Sequence, residues 1–288
     1  MSNNQKFTAG LAIEFGKARI ALPIALSALT GYFLEKGSLD TGFLFPFSGV
    51  FFLACGSMAM NQVQEQNIDR LMDRTMNRPI PSGRSSAKSV IIYSVICFIA
   101  GLLLLSGSFS ALVLGAVTAL YYNLVYTPLK RVTAFAAVPG AIVGALPPMV
   151  GWASANGNLS DHRIWLLASF FFMGQIPHFW LLLLMYGKDY EKAGLPTLTK
   201  IMSETQIKRL TFSWILWTGI VAVFLAFLGV VKNTWTAWTL VALSIGMIIL
   251  FLDLMKRSKI IRNFRPYFIK LNIFYSLVMI LLWLDSLL

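Results

Sequence analysis

Charge is what this sequence has least of. Only 12% of its 288 residues are Asp, Glu, Lys or Arg, against about 25% in an ordinary soluble domain, and that shortage excludes a water-soluble globule. Collagen-like, coiled-coil and disordered classes fail on the same composition. Two cysteines, Cys55 and Cys97, lie inside apolar runs; they offer neither a disulfide framework nor a zinc-ligand set and read as packing residues. Acidic residues are scarce as well, 12 against 24 Lys plus Arg, for a net charge of +12. In a soluble protein that excess would suggest nucleic acid. In a chain that is 57% hydrophobic, it reports membrane orientation and anionic lipid contact, and no nucleic-acid partner is expected.

What is present is a series of long apolar runs. A membrane crossing needs about 20 apolar residues, and nine such runs lie near residues 18–34, 42–60, 89–106, 109–127, 134–154, 164–185, 211–231, 235–254 and 268–287. The first 15 residues are polar and mixed, so no cleavable signal peptide is expected. With the N-terminus cytoplasmic, 21 of the 24 Lys and Arg fall in cytoplasmic segments; only Lys36, Arg163 and Lys232 lie on the other side. Short cytoplasmic loops collect Lys and Arg, so this asymmetry supports both the span count and the orientation, and it places the C-terminus outside. Two cytoplasmic segments are long, residues 61–88 and 186–210.

The first long segment carries chemistry. The second apolar run continues without a Pro or Gly through Asn61, Glu65, Asp69 and Asp73. A spacing of four residues predicts one polar stripe on a continuing helix. Like charges at that spacing repel, whereas Mg²⁺ is held by one or two carboxylates together with substrate phosphates. A solvated helix face, with Arg70 and Arg74 as partners, is the plainer alternative. Pro79 and Pro81 then end the helix, while Arg74, Arg78 and Arg84 bring cations to the same membrane mouth. The arginine fork matches phosphate oxygens; lipid headgroups would account for any one of these arginines alone.

The second long segment offers Asp189 and Glu191 as further metal ligands, with Lys188 and Lys192 as phosphate point charges. His178 lies deeper in the sixth run, where an ionisable residue is a functional candidate, although a helix-packing histidine is the simpler role. His162, beside Asp161 and Arg163, reads as a surface residue. Tyr126, Thr127, Lys130 and Arg131 close the fourth run. The fifth carries Pro139, Gly140, Gly144, Pro147, Pro148 and Gly151, a pattern that suits a kinked cavity wall or close helix packing.

The segment Asn61 to Pro79, ending Met72-Asp73-Arg74-Thr75-Met76-Asn77-Arg78-Pro79, resembles the first aspartate-rich motif of the UbiA superfamily of intramembrane prenyltransferases, in the form found in its heme-farnesylating members. Tyr126-Thr127 with Leu129-Lys130-Arg131, the stretch Gly144 to Ala153, Pro177-His178-Phe179-Trp180, and Asp189-Tyr190 with Ala193-Gly194-Leu195-Pro196 are similar to the same family in the same order. Glu65 stands where the family usually has Asp.

The resemblance implies an all-α polytopic membrane protein, a single domain over residues 1–288 with nine transmembrane helices in a UbiA-like bundle around a central cavity. It implies Mg²⁺ held by Asn61, Glu65, Asp69 and Asp189, with Asp73 assisting. Diphosphate charge would be neutralised by Arg74, Arg78, Lys130, Arg131 and Lys188, and His178 would position the acceptor or assist proton transfer. The implied substrates, met at the cytoplasmic side of a bacterial inner membrane, are farnesyl diphosphate and heme b, the farnesyl group passing to a heme vinyl group to form heme o. An aromatic acid or quinone precursor is the rival acceptor. A non-catalytic transporter or heme-handling factor is the rival class, and carboxylates gathered at one membrane face rather than at the midplane disfavour it.

Overall fold

The computed structural model describes residues 8–256, 261 and 263–288. Lys6, Arg257, Lys259 and Arg262, counted above among the cytoplasmic cations, lie outside the described residues. Within them the chain is helical with no strand. A short helix α1 (Ala9–Gly16) precedes α2 (Ala18–Lys36), α3 (Leu44–Gln64), α4 (Ala87–Leu105) and α5 (Phe109–Leu120). Then follow α6 (Ile142–Ser154), α7 (His162–Lys192), α8 (Glu204–Phe227), α9 (Thr234–Phe251) and α10 (Arg265–Leu287). Helix α5 is prolonged by a π-helical turn, Tyr121–Tyr126, and a last turn, Thr127–Leu129.

All nine expected spans are helical. Eight helices among the described residues are long and apolar enough to cross a membrane. The remaining one, α2, has a comparable length of 19 residues but carries Arg19, Glu35 and Lys36, and it is buried continuously from Ser27 to Leu34 among α3, α6 and α10. Glycine makes its closest contact possible. A Cβ on Gly31 would lie 1.9 Å from the Pro148 carbonyl oxygen, and one on Gly151 would lie 1.7 Å from that of Ala28. Helices α2 and α6 therefore pack backbone against backbone, as small residues allow in membrane bundles.

Two boundaries differ from the sequence expectation, and both shape the site. The stripe helix does not run on to Asp73: α3 ends at Gln64, Glu65 takes φ −100° and ψ 7°, and only one further turn, Gln66–Asp69, is helical. The Thr75 hydroxyl donates to the Asp69 carbonyl at 2.9 Å, folding the chain back where a continuing helix would have run on. Conversely, α7 extends seven residues past its expected end, through Lys192, and the chain turns only at Gly194, whose φ of +73° suits glycine.

Candidate active site

Asn61 and Asp69 flank the break at Glu65, and the break leaves all three on one face. The Glu65 amide still donates to the Asn61 carbonyl at 2.9 Å, and the Asp69 amide to that of Glu65 at 2.8 Å. All three side chains are buried. Each carboxylate has drawn a cation from elsewhere in the chain. Lys130 reaches Glu65 at 2.6 Å, and Arg78 reaches Asp69 at 2.5 Å. Burial works against the Glu65 carboxylate, but the charge and hydrogen bond of Lys130, with a hydrogen bond from Asn61, outweigh it and hold its pKa below the usual value. Asp69 is 0% exposed, and its second oxygen, Oδ1, has no hydrogen-bond partner. A buried, unpaired carboxylate oxygen is costly to leave unmade, so the donor set fits an additional cation.

Helix α5 supplies the opposite wall. Its π turn lets the Thr127 hydroxyl donate to the Tyr122 carbonyl at 2.9 Å while it accepts from Asn61 Nδ2 at 3.2 Å. Thr127 thereby fixes how Asn61 presents its carbonyl oxygen. π turns are often found at functional sites.

The two long segments meet at this mouth. The Arg74 guanidinium lies 4.8 Å from the centre of the Tyr186 ring and donates to the Tyr190 hydroxyl at 3.1 Å, while the Arg74 amide donates to Asp189 at 3.4 Å. Asp189 thus reaches the backbone of the first segment. The other expectations fare unevenly. Asp73 leaves the stripe and forms an exposed ion pair with Lys192 at 2.7 Å, because the helix that would have carried it inward stops at Asp69. Arg131 is exposed and donates to the Gln64 carbonyl, and Lys188 is also exposed. Arg84, instead of facing the site, grips Glu14 of α1 with two bonds of 2.9 and 2.6 Å. His178 packs against Phe268 of α10, with ring centres 4.6 Å apart, and edge-on against Phe179 at 5.9 Å; Phe179 in turn meets Tyr126 beside Lys130. No group of three or more His, Cys, Asp or Glu side chains is preassembled for a metal among the described residues; in this structure Arg78 and Lys130 engage the carboxylates.

Lys17 is the site residue that sequence reasoning passed over. It joins α1 to α2 in a left-handed conformation, φ 46° and ψ 51°, which costs a non-glycine residue about 1–3 kcal/mol. The Gln62 side chain holds that junction by donating to the Phe15 carbonyl at 2.7 Å. The Lys17 ammonium is half-buried in the field of Arg78, Asp69, Lys130 and Glu65, and burial followed by Arg78 lowers its pKa to about 7. Its one sequence signal was position, at the start of the first span, where it passed for an ordinary interfacial cation.

One helical turn inward from Asn61, at Ser57 and Met58, an apolar pocket opens between α2, α3, α5 and α6, with Tyr122 also in its wall. Val143, Pro147 and Val150 of α6 line it, whereas Gly151 serves close packing; the proline- and glycine-rich run does both things expected of it, at different positions.

Residues 24–277 match the model of the UbiA prenyltransferase family. The chain belongs to that family. As a UbiA family member, it is 42% identical over 184 residues to a protoheme IX farnesyltransferase of Geobacter sulfurreducens, covering 64% of this chain and 68% of that protein. It is 39% identical over 180 residues to one from Oleidesulfovibrio alaskensis, covering 62% and 64%. The chain thus aligns with about two thirds of the length of these relatives. Its fold is that of a digeranylgeranylglyceryl phosphate synthase (TM-score 0.75, 18% identity, 96% of this chain and 98% of that one). It is also that of a UbiA homolog from Archaeoglobus fulgidus bound to GPP and Mg²⁺ (TM-score 0.69, 12% identity, 94% and 99%). With its apolar helices, this family member is an integral membrane protein.

Proposed function

We propose that this protein transfers the farnesyl group of farnesyl diphosphate to a vinyl group of heme b, forming heme o and releasing diphosphate. The observation that carries prenyl transfer is the unpaired Asp69 oxygen, buried among cations at the head of an apolar pocket. One end of that arrangement suits a charged metal diphosphate and the other a prenyl chain. Farnesyl and heme are supported by the names of relatives at 42% and 39% identity.

Asn61, Glu65 and Asp69, with Asp189 across the mouth, would hold Mg²⁺, which when bound offsets the negative charge of the diphosphate. Arg78, Lys130 and Lys17 neutralise what remains of that charge, most strongly as the bond between the allylic carbon and the diphosphate oxygen breaks and the oxygen keeps the electron pair. Binding of diphosphate oxygens would compete with Asp69 and Glu65 for their present partners, Arg78 and Lys130. Met58, Tyr122 and Val143 wall the allylic cation from water until a heme vinyl carbon attacks it; water then adds to the resulting benzylic-type cation and loses a proton. Arg74, clasped by Tyr186 and Tyr190, holds the two long segments together over the site. His178, linked to Tyr126 at the mouth through the Phe179 ring, is assigned to acceptor positioning. The mouth is assigned to the cytoplasmic side of a bacterial inner membrane, on the strength of the 21 cations that fall there.

The test is purified protein supplied with farnesyl diphosphate, heme b and Mg²⁺, with extracted hemes read by mass spectrometry. Heme o formed only with all three is the expected result. Turnover of an aromatic acceptor without heme o would replace the acceptor, and absence of diphosphate release with any acceptor would remove the enzyme reading.

A further inference from the structure

We infer that Leu53, backed by Leu105 and Gly115, is the stop that sets the length of prenyl chain this protein accepts. The inference rests on the prenyl-transfer reading and extends it to a specificity residue. The pocket that begins at Ser57, Met58 and Tyr122 ends on Val50, Leu53, Gly115 and Val150. Val50, Leu53 and Val150 belong to a buried cluster completed by Ala28, Leu105, Ala111 and Ala153, so at this end the pocket is backed by packed side chains.

The glycines beside these leucines show how little slack lies behind the stop. A Cβ on Gly115 would sit 2.6 Å from Leu105 Cδ1 and 2.9 Å from Leu53 Cδ1. One on Gly101 would sit 2.7 Å from Leu53 Cγ, and one on Gly49 would sit 2.8 Å from the Leu105 side chain. Leu53 and Leu105 thus fill the space that three glycines of α3, α4 and α5 vacate. Leu53 lies eight residues from Asn61 on the same helix, about 12 Å at 1.5 Å per residue. A chain anchored by its diphosphate at Asn61 and Glu65 therefore meets the Leu53 side chain with its tail. Cores at crystal-like density do not yield space for a further isoprene unit. Shortening Leu53 would open the pocket toward Gly101 and Leu105.

The experiment compares geranyl, farnesyl and geranylgeranyl diphosphate in the full-length protein, in nanodiscs, by kcat/KM for diphosphate release. It also compares them by protection against thermal unfolding, which needs no acceptor. One methylene in an apolar pocket discriminates by about 10-fold or more. Leu53→Ala should therefore raise the geranylgeranyl-to-farnesyl ratio at least about tenfold. Ala119→Phe, which fills the pocket short of the stop, should shift preference toward geranyl diphosphate; it decides the matter if Leu53→Ala fails to fold. Ratios unchanged in both readouts, in a wild type that binds and turns over prenyl diphosphate, overturn the stop and leave prenyl transfer intact. A wild type that neither binds nor cleaves any of the three removes both.

Discussion

At the end of the bundle away from the mouth, Asp285 is 5% exposed and has both oxygens occupied, accepting from the amides of Lys232 at 2.8 Å and Asn233 at 2.9 Å. At the mouth, Asp69 is 0% exposed, yet one oxygen meets Arg78 and the other meets nothing. Both are buried carboxylates on the same bundle. The first is satisfied by the fold itself and closes the start of α9 onto the end of α10. The second is left short of partners by the fold, which is how a group reserved for something outside the chain differs from a structural one. A like contrast holds for cations at the two ends. Arg163 is fixed by Asp161 at 2.7 Å and lies over Trp152, whereas Lys17 is brought to the mouth by a strained backbone and neighbours both signs of charge.

The sharpest way to break this contrast is to exchange the two aspartates in turn. Asp69→Asn keeps the shape and removes the charge, and should lower diphosphate release by about 10²–10³-fold, the scale of losing one preorganised electrostatic group, with little change in thermal unfolding. Asp285→Ala removes the acceptor of two part-buried bonds and should lower stability by about 1–3 kcal/mol while leaving kcat near wild type. Parallel turnover assays and melts on both variants check the pair. An Asp69 variant that loses stability but keeps turnover would make the two residues alike.

Lys17 gives the next largest effect. Loss of one charge-assisted bond to a phosphate oxygen corresponds to about 10- to 100-fold in kcat/KM, so Lys17→Ala should weaken use of prenyl diphosphate by that factor. The sign of its pH dependence follows from a lowered pKa. The ammonium is charged below about 7 and neutral above it, and kcat/KM reports the free enzyme. Wild-type kcat/KM should therefore fall as pH rises through about 7, and Lys17→Arg, which stays charged, should flatten that limb.

The sequence disclosed unequal parts of this. Apolar runs located the helices because hydrocarbon thickness fixes their length, and the spacing of Asn61, Glu65 and Asp69 was readable because hydrogen bonds across the Glu65 break keep helical periodicity. The break before Asp73 was not readable: no Pro or Gly lies between Asn61 and Arg78, and the turned-back chain is held by side-chain bonds from Thr75 and Arg78 to Asp69, which no helix-breaking residue announces. Lys17 was hidden and Arg84 misplaced for a related reason. In the sequence Lys17 is an ordinary interfacial cation and Arg84 stands with the mouth arginines, and only the docking of α1 decides that Lys17 faces the site while Arg84 holds Glu14.

Thr127 sharpens the comparison on the neutral side of the mouth. Thr127→Val removes the acceptor of Asn61 and the donor to Tyr122 while keeping the side-chain shape. One net hydrogen bond is worth about 1 kcal/mol, so kcat should fall by about fivefold, and Thr127→Ser should restore it. Rescue by serine separates positioning of Asn61 from simple packing, since serine keeps the hydroxyl and loses the methyl.

The smallest effect belongs to the residue that left the stripe. Asp73 and Lys192 face solvent, with side chains 70% and 56% exposed, and exposed pairs contribute little because water and salt screen them. Asp73→Ala should change diphosphate release by less than about twofold, since screened surface pairs carry little energy, and the change should vanish at high ionic strength. A far larger loss, persisting in salt, would return Asp73 to the metal-binding face and mean that the chain beyond Asp69 swings inward when diphosphate binds. The same assay run on Asp69→Asn and Asp73→Ala side by side therefore reports whether the stripe of carboxylates ends at the break in α3 or is completed by substrate.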